Sequence, residues 1–473
     1  AISLNINWDV SDEYTITSIT SYDEGEITIP EGDGTPNKIH SVTFYGDVDQ
    51  VTQDFRITSN FKNEFNFIAG MFISQEEIQA PSSLNLYQDL DLNVDGNLDS
   101  LDCWEPVADL YGYPLTPAAQ LVDDTLNSFG YDLSLFAGMG CQLRNDYTQE
   151  KESLGLYFDA SYDLSDATTL RFGARSTNDV IKLKNFSAGY YGSDDMLVVP
   201  TISQELLPED EIDESEWSGK ISVDHILSSG DMIYASYNRG YRSGAFNGQA
   251  FNDPSEVAPV EPEIIDAFEA GFKAEFFSRQ LRLNGAAFYY DYSDQQFLNI
   301  DPATAAQTLH NIESSEIKGL EFDLTAAVTD DLTLRAGFGY LDAKAEEGTV
   351  SGVDISGNTL SQSPEYNANL SIDYFTSLGD SGSLQWHLDT NWVDKQYFDI
   401  GNTEATSQDS YALMNARITW SSPDEGYQVA IWGKNLTDEE YITKAFDVTG
   451  LAGGIIAHTG QSVSFGAELT VNF

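Results

Sequence analysis

The dominant pattern along the chain is a two-residue alternation of apolar and polar side chains. In LEFDLTAAV (320–328), Leu320, Phe322, Leu324, Ala326 and Val328 share one parity, and Glu321, Asp323 and Thr325 share the other. The next segment repeats it, with Leu332, Leu334, Ala336, Phe338 and Tyr340 set against Thr333, Arg335, Gly337 and Gly339. Leu154, Leu156, Phe158, Ala160 and Tyr162 form another such row, and Leu384, Trp386, Leu388 and Trp392 alternate with Gln385, His387, Asp389 and Asn391. Side chains alternate across an extended strand, so each segment predicts a strand with one apolar and one polar face. About 17 segments of roughly 10–16 residues can be counted, longer than the strands of most soluble sheets. They start near residues 1, 14, 48, 64, 150, 168, 214, 232, 262, 281, 310, 332, 361, 383, 410, 426 and 461.

The connections alternate in length. Short ones such as SDE (11–13), SDAT (165–168), SSGD (228–231), TDD (329–331) and SPDEG (422–426) carry turn chemistry. Long polar connections lie between them, the longest running from 78 to 149. Long amphipathic strands, short turns at one end and long loops at the other predict an all-β fold, a transmembrane antiparallel β-barrel. A soluble propeller or sandwich has shorter strands and does not sort its loops by length. No apolar run approaches the ~18 residues of a membrane helix, FIAGMFI (67–73) being among the longest. Trp8, Tyr162, Trp386, Trp392 and Trp420 fall near strand ends on apolar faces, where amphipathic rings suit a lipid interface.

Charge refines the picture. The 473 residues include 77 Asp and Glu against 22 Lys and Arg, a formal net charge of −55. That excludes a phosphate-neutralising nucleic-acid binder. Disorder is excluded too, because 41% of residues are hydrophobic and 12% aromatic. A barrel gives the acidity a place, since lipid-facing positions exclude charge and carboxylates collect in the lumen, turns and loops. The five histidines, His40, His225, His310, His387 and His458, are scattered, with no nucleophile elbow or zinc spacing, so no catalytic set is predicted.

The sharpest local motif is DLNVDGNLDSLD (91–102). Asp91, Asn93, Asp95, Asn97 and Asp99 take positions 1, 3, 5, 7 and 9 of a calcium loop, Gly96 the sharp turn and Asp102 position 12. Asp replaces the usual Glu at position 12, so a lone structural calcium site is predicted, with a solvated Asp/Asn-rich loop as the alternative. TPAAQLVDDTLNSF (116–129) reads as a short helix in the same connection. At the other end of the chain, VSFGAELTVNF alternates up to Phe473, which resembles the terminal signal by which outer-membrane barrels are recognised for assembly.

Several segments then resemble the C-terminal barrel of TonB-dependent outer-membrane receptors. These are FGARSTND (172–179), YASYNRGYRSGAFNG (234–248), EAGFKAEF (269–276), KGLEFDLTAAV (318–328), SPEYNANLSIDY (363–374) and GKNLTDEEY (433–441). The resemblance implies a 22-stranded barrel filled by a plug domain, with an energy-coupling box upstream. No segment here resembles plug or box, so residues 1–473 are read as the C-terminal part of the barrel, strands 6 to 22, with residues 78–149 a long extracellular loop. Because such a loop matures in an oxidising compartment, a Cys103–Cys141 disulfide is expected, two free thiols being the alternative.

What the resemblance implies for function is a receptor in the outer membrane of a Gram-negative bacterium, embedded in lipid and lipopolysaccharide. It would bind a scarce solute, most commonly a ferric siderophore, at its outer loops and plug apex. Import would draw on energy passed from an inner-membrane coupling protein. Arg171, Arg175, Lys273, Glu321, Asp323, Arg335, Asp389 and Arg417 would face plug or lumen. Tyr190, Tyr191, Phe246, Phe251 and Phe446 are the candidate ligand contacts. A passive porin, or a calcium-dependent surface adhesion barrel, is the alternative function.

Overall fold

The alternating segments fold as one antiparallel sheet, because each strand can bury its backbone polar groups only against its chain neighbours. The computed structural model describes residues 1–32, 40–86, 142–191, 197–301, 307–449 and 454–472. Its long strands are β1 (Ile2–Ser11), β2 (Tyr14–Gly32), β3 (His40–Ser59), β4 (Phe65–Gln79), β5 (Gln142–Ser165) and β6 (Thr168–Tyr191). Next come β7 (Glu211–Ile226), β8 (Met232–Arg242), β9 (Glu263–Phe276), β10 (Leu281–Ile300), β11 (Gln307–Thr329) and β12 (Leu332–Glu347). The last are β13 (Tyr366–Ser377), β14 (Ser383–Val393), β15 (Tyr411–Ser421), β16 (Tyr427–Lys434) and β17 (Ser464–Val471). Each pairs antiparallel with the next, and β1 and β17 pair on one side only, so the sheet is open along two edges among the described residues. Two shorter strands widen it at the long-loop end: Ser82–Leu86 pairs with β3 and β5, and Leu197–Ser203 pairs with β6.

The strands agree with the sequence pattern, with instructive differences at three starts. β3 begins at His40, not near 48; β5 at Gln142, not near 150; and β13 at Tyr366, not near 361. The early starts of β3 and β5 lie at the long-loop end. A strand that has left the lipid no longer has an apolar solvent on its outer face, so its apolar–polar alternation fades while its backbone pairing continues. The same pairing reaches Leu86 and resumes at Gln142, which narrows the connection from 78–149 to the part between those residues. The calcium motif (Asp91, Asn93, Asp95, Asn97, Asp99 and Asp102), Cys103, Cys141, the 116–129 segment and Phe473 lie outside the described residues.

Register assigns the faces. Across β5 and β6, Phe158 opposes Ala174 and Leu156 opposes Ser176, while Tyr157 opposes Arg175 and Ser161 opposes Arg171. Leu154, Leu156, Phe158, Tyr162 and Leu164 are exposed to the surroundings of the protein, as a lipid-facing row must be. That row covers roughly 33 Å of strand at about 3.3 Å per residue. At a tilt of about 40° this matches an apolar band about 25 Å tall. Aromatic rings knit the band across strands, Phe158 lying 5.8 Å from Phe67 and 6.0 Å from Phe172. Trp8, Trp386 and Trp392 stand exposed on this face, and Trp420 donates its indole N–H to the Ser381 carbonyl at 2.9 Å. The opposite, polar face holds Arg171, Arg175, Lys273, Glu321, Asp323, Arg335, Asp389 and Arg417 in register with one another's rows. Among the described residues, no helix is long and apolar enough to cross a membrane, so crossing falls to the strands.

Candidate functional site

At the long-loop end the connections fold inward instead of standing free. The segment between β8 and β9 lays Phe246, Ala250 and Val257 onto Ile181, Leu183, Phe186 and Ala188 of β6, with Ile202 completing a buried cluster. Ile181 and Leu183 share the parity of Asp179 and Arg175, so this strap covers the polar-faced, lumen side of the wall. Here the lumen side turns apolar because it has protein, not water, against it.

Polar side chains tie the strap down at both ends. Asn145 of β5 is 1% exposed and donates to the carbonyls of Gly248 (2.6 Å) and Ala250 (3.3 Å). Its carbonyl accepts from the Ser82 amide (3.0 Å) and hydroxyl (2.5 Å), joining strap, β5 and the stem of the longest connection. Tyr147 stacks on Phe186 at 5.8 Å, and a Cβ on Gly248 would stand 2.1 Å from the Tyr147 hydroxyl, so only glycine permits this approach. On the far side Asn247 donates to the Gln307 carbonyl (2.6 Å), and Gln296 donates to the carbonyls of Ser243 and Glu261 (2.9 Å each). The Asp253 carboxylate accepts from Ser255 and is held below its usual range by that bond.

A second inward cluster sits over β11 and β12. Ile312, Ala343 and Ala345 pack against Val350, Ile355 and Leu360 of one connection and Ile400 of the next. Thr359 and Asn402 exchange hydrogen bonds at 2.8 Å each, locking the two connections together. Lys395 pairs with Glu404 at 2.6 Å, which lowers the Glu404 carboxyl below its usual range and raises the Lys395 ammonium.

Below these loops the lumen wall carries a lattice of ion pairs and hydrogen bonds. Lys220 pairs with Asp159 at 2.7 Å, Arg171 pairs with Asp224, and Tyr157 donates to Asp54 at 2.8 Å. Tyr234 donates to Glu269 at 2.7 Å, and Arg335 bonds Asp373. His387 spans Asp373 (2.8 Å) and Asp389 (3.3 Å), and Asn415 donates to Asp389 at 2.7 Å. The Asn435 of NLTDEEY donates to the carbonyls of Glu439 and Gln461, and its amide donates to Asn415 at 3.0 Å, which shapes the last long connection. Beside Asn415 the wall holds a recess of about 380 Å³ among β14 to β17.

Of the five aromatic residues chosen as ligand contacts, Tyr190 and Phe246 are 8% and 6% exposed, so packing takes most of their surface. Tyr191 is half-buried beneath the Arg144 guanidinium at 4.9 Å, and Phe251 is half-buried in the strap, its carbonyl accepting from Thr201. Phe446 stands apart from the other four, in the hairpin Ile442–Asp447 and Ile455–Thr459, with the Lys444 ammonium 4.4 Å above its ring. Sequence reasoning did not single out Asn145, Asn247 or Gln296. The signal available for Asn247 was the amide-rich AFNGQAFN run, which offers side-chain donors to loop carbonyls.

A sheet of long antiparallel strands, apolar outside and charged inside, with short turns at one end and inward-packed loops at the other, defines a transmembrane β-barrel protein of the outer membrane. The chain belongs to the TonB dependent receptor-like β-barrel family, whose description matches residues 1–436. The family is one of transporters rather than enzymes. A probable TonB-dependent siderophore receptor, PiuA of Acinetobacter baumannii, is 27% identical over 228 residues, 45% of this chain and 29% of that protein. The ferrichrome outer membrane transporter/phage receptor of Escherichia coli is 24% identical over 246 residues, 51% of this chain and 31% of the relative. Among solved structures, the ferric yersiniabactin uptake receptor FyuA of Yersinia pestis shares the fold at a TM-score of 0.72 and 16% identity, over 100% of this chain and 60% of that one. The solved PiuA structure gives 0.66 and 18%, over 99% and 63%. The chain thus spans less than two thirds of the length of these relatives.

Proposed function

We propose that the chain is the C-terminal part of a receptor that binds a scarce solute, a ferric siderophore or similar metal complex, and imports it into the periplasm. The observation that carries this reading is the outer mouth, where two loop clusters are packed onto the lumen wall and hydrogen-bonded into place. A fixed, inward-folded mouth suits capture of a particular solute, because ordering has been completed before binding. An open diffusion pore gains nothing from such a mouth. In this reading a plug domain occupies the lumen, an inner-membrane protein supplies energy, and lipopolysaccharide surrounds the barrel. Calcium at Asp91, Asn93, Asp95, Asn97, Asp99 and Asp102 and a Cys103–Cys141 bond would order the longest loop.

The test is uptake of radiolabelled iron presented as a panel of siderophore complexes, in cells with and without the gene. The expected result is saturable uptake that an uncoupler of the proton gradient abolishes within minutes. Uptake proportional to concentration and indifferent to the uncoupler would instead identify a passive porin.

A further inference from the structure

The recess among β14 to β17 is lined by two carboxylates, Asp389 and Glu468, and two cations, Arg417 and Lys434, with His387 and Trp432 beside them. Its two carboxylates are already satisfied: Asp389 by Asn415 and His387, and Glu468 by Arg417 at 3.1 Å. Its cations keep donors in reserve. Lys434 makes no ion pair among the described residues and lies 5.7 Å from the centre of the Trp432 ring. Arg417 uses Nη1 for Glu468 and Nε for Thr419, leaving Nη2 without a hydrogen bond among the described residues. Cross-strand register places these groups together, since Arg417 opposes both His387 and Trp432, and Trp432 opposes Gly466. The space itself depends on that glycine: a Cβ on Gly466 would meet the Trp432 ring at 2.2 Å, so the indole lies flat on the wall and leaves the recess open. The recess thus sets spare cationic donors beside an aromatic side wall.

We propose that this recess is an oxyanion subsite on the lumen wall, binding a carboxylate or phosphate-like group between the Lys434 ammonium and the free Arg417 nitrogen, beside Trp432. The inference deepens the receptor reading and rests on it. The oxyanion has two sources, a solute in transit or an acidic side chain of protein that fills the lumen.

The test uses the full-length receptor purified from outer membranes and inorganic pyrophosphate, a compact oxyanion that is not a siderophore. A solute subsite gives saturable pyrophosphate binding by calorimetry. Lys434→Met should weaken it by roughly tenfold or more, as expected for a lost charge-assisted hydrogen bond, and Lys434→Arg should largely restore it. A protein-borne oxyanion gives no pyrophosphate binding, but a zero-length carbodiimide cross-link from Lys434 to a carboxylate other than Glu468. Neither signal, a cross-link to Glu468 alone, or pyrophosphate binding unchanged in Lys434→Met overturns the subsite. Siderophore uptake measured on the same variants separates this failure from failure of the receptor reading.

Discussion

Phe158→Glu is expected to prevent the barrel from accumulating in the outer membrane, while Ser161→Glu, three positions along the same strand, leaves it almost unchanged. Phe158 sits mid-band on the lipid face, 37% exposed, stacked on Phe67 and tilted against Phe172. A basic side chain at the bilayer midplane costs about 2–4 kcal/mol and a carboxylate somewhat less. Losing two ring contacts adds about 0.5–1.5 kcal/mol each. The sum corresponds to a loss of folded barrel of tenfold or more, since about 1.4 kcal/mol is a factor of ten. Ser161 has the opposite parity and faces Arg171 across the β5–β6 pair, so a carboxylate there meets water and a guanidinium. The measurement is the heat-modifiable folded band in isolated outer membranes, with Phe158→Leu as the control that keeps the face apolar. Equal accumulation of both Glu variants would mean the faces are assigned wrongly.

The second large effect belongs to Asn145. Replacing it with Ala strands the Ser82 amide and the carbonyls of Gly248 and Ala250, all now served by one side chain. Each buried polar group left without a partner costs about 1–3 kcal/mol, less where water can enter. The strap should therefore detach from β5 while the strands below it stay paired. Hydrogen exchange should show faster exchange at Gln249 and Phe251 and at Ser82, with no change in β9 to β15. Asn145→Asp, which keeps the acceptor for Ser82 but loses both donors, should free the strap and spare the stem. A uniform loss of protection in Asn145→Ala would show that the residue supports the whole barrel rather than its mouth.

How far the sequence could be read follows from which forces are local. The rows Leu154–Tyr162 and Leu320–Val328 exposed their strands and their faces because lipid and water act on alternate side chains directly. Their tops were less legible: His40–Asp47 and Gln142–Gln149 pair as strands beyond the lipid, the latter with the strap against one face, and no apolar period marks them. The mouth was legible only as loops. Phe246 looked like a loop aromatic free to meet a solute, yet its burial depends on Ile181, Leu183 and Ile202, which are distant in sequence. The recess was harder still. Lys434, Trp432, Arg417 and Glu468 come from three strands, and only their registers make them neighbours. The strand row itself hid a functional distinction, because matched and unmatched lumen charges read alike in a sequence.

One alternation separates lipid from lumen along the whole sheet. Single cysteines at each position from Leu154 to Tyr162, labelled in intact outer membranes with a lipid-soluble and a membrane-impermeant maleimide, test it most directly. Leu154, Leu156, Phe158 and Tyr162 should react with the lipid-soluble reagent, Ala160, buried among its neighbours, should be shielded from both, and Gly155, Tyr157, Asp159 and Ser161 should favour the impermeant one or be shielded from both. A pattern without a period of two, or one with the parities exchanged, would contradict the account.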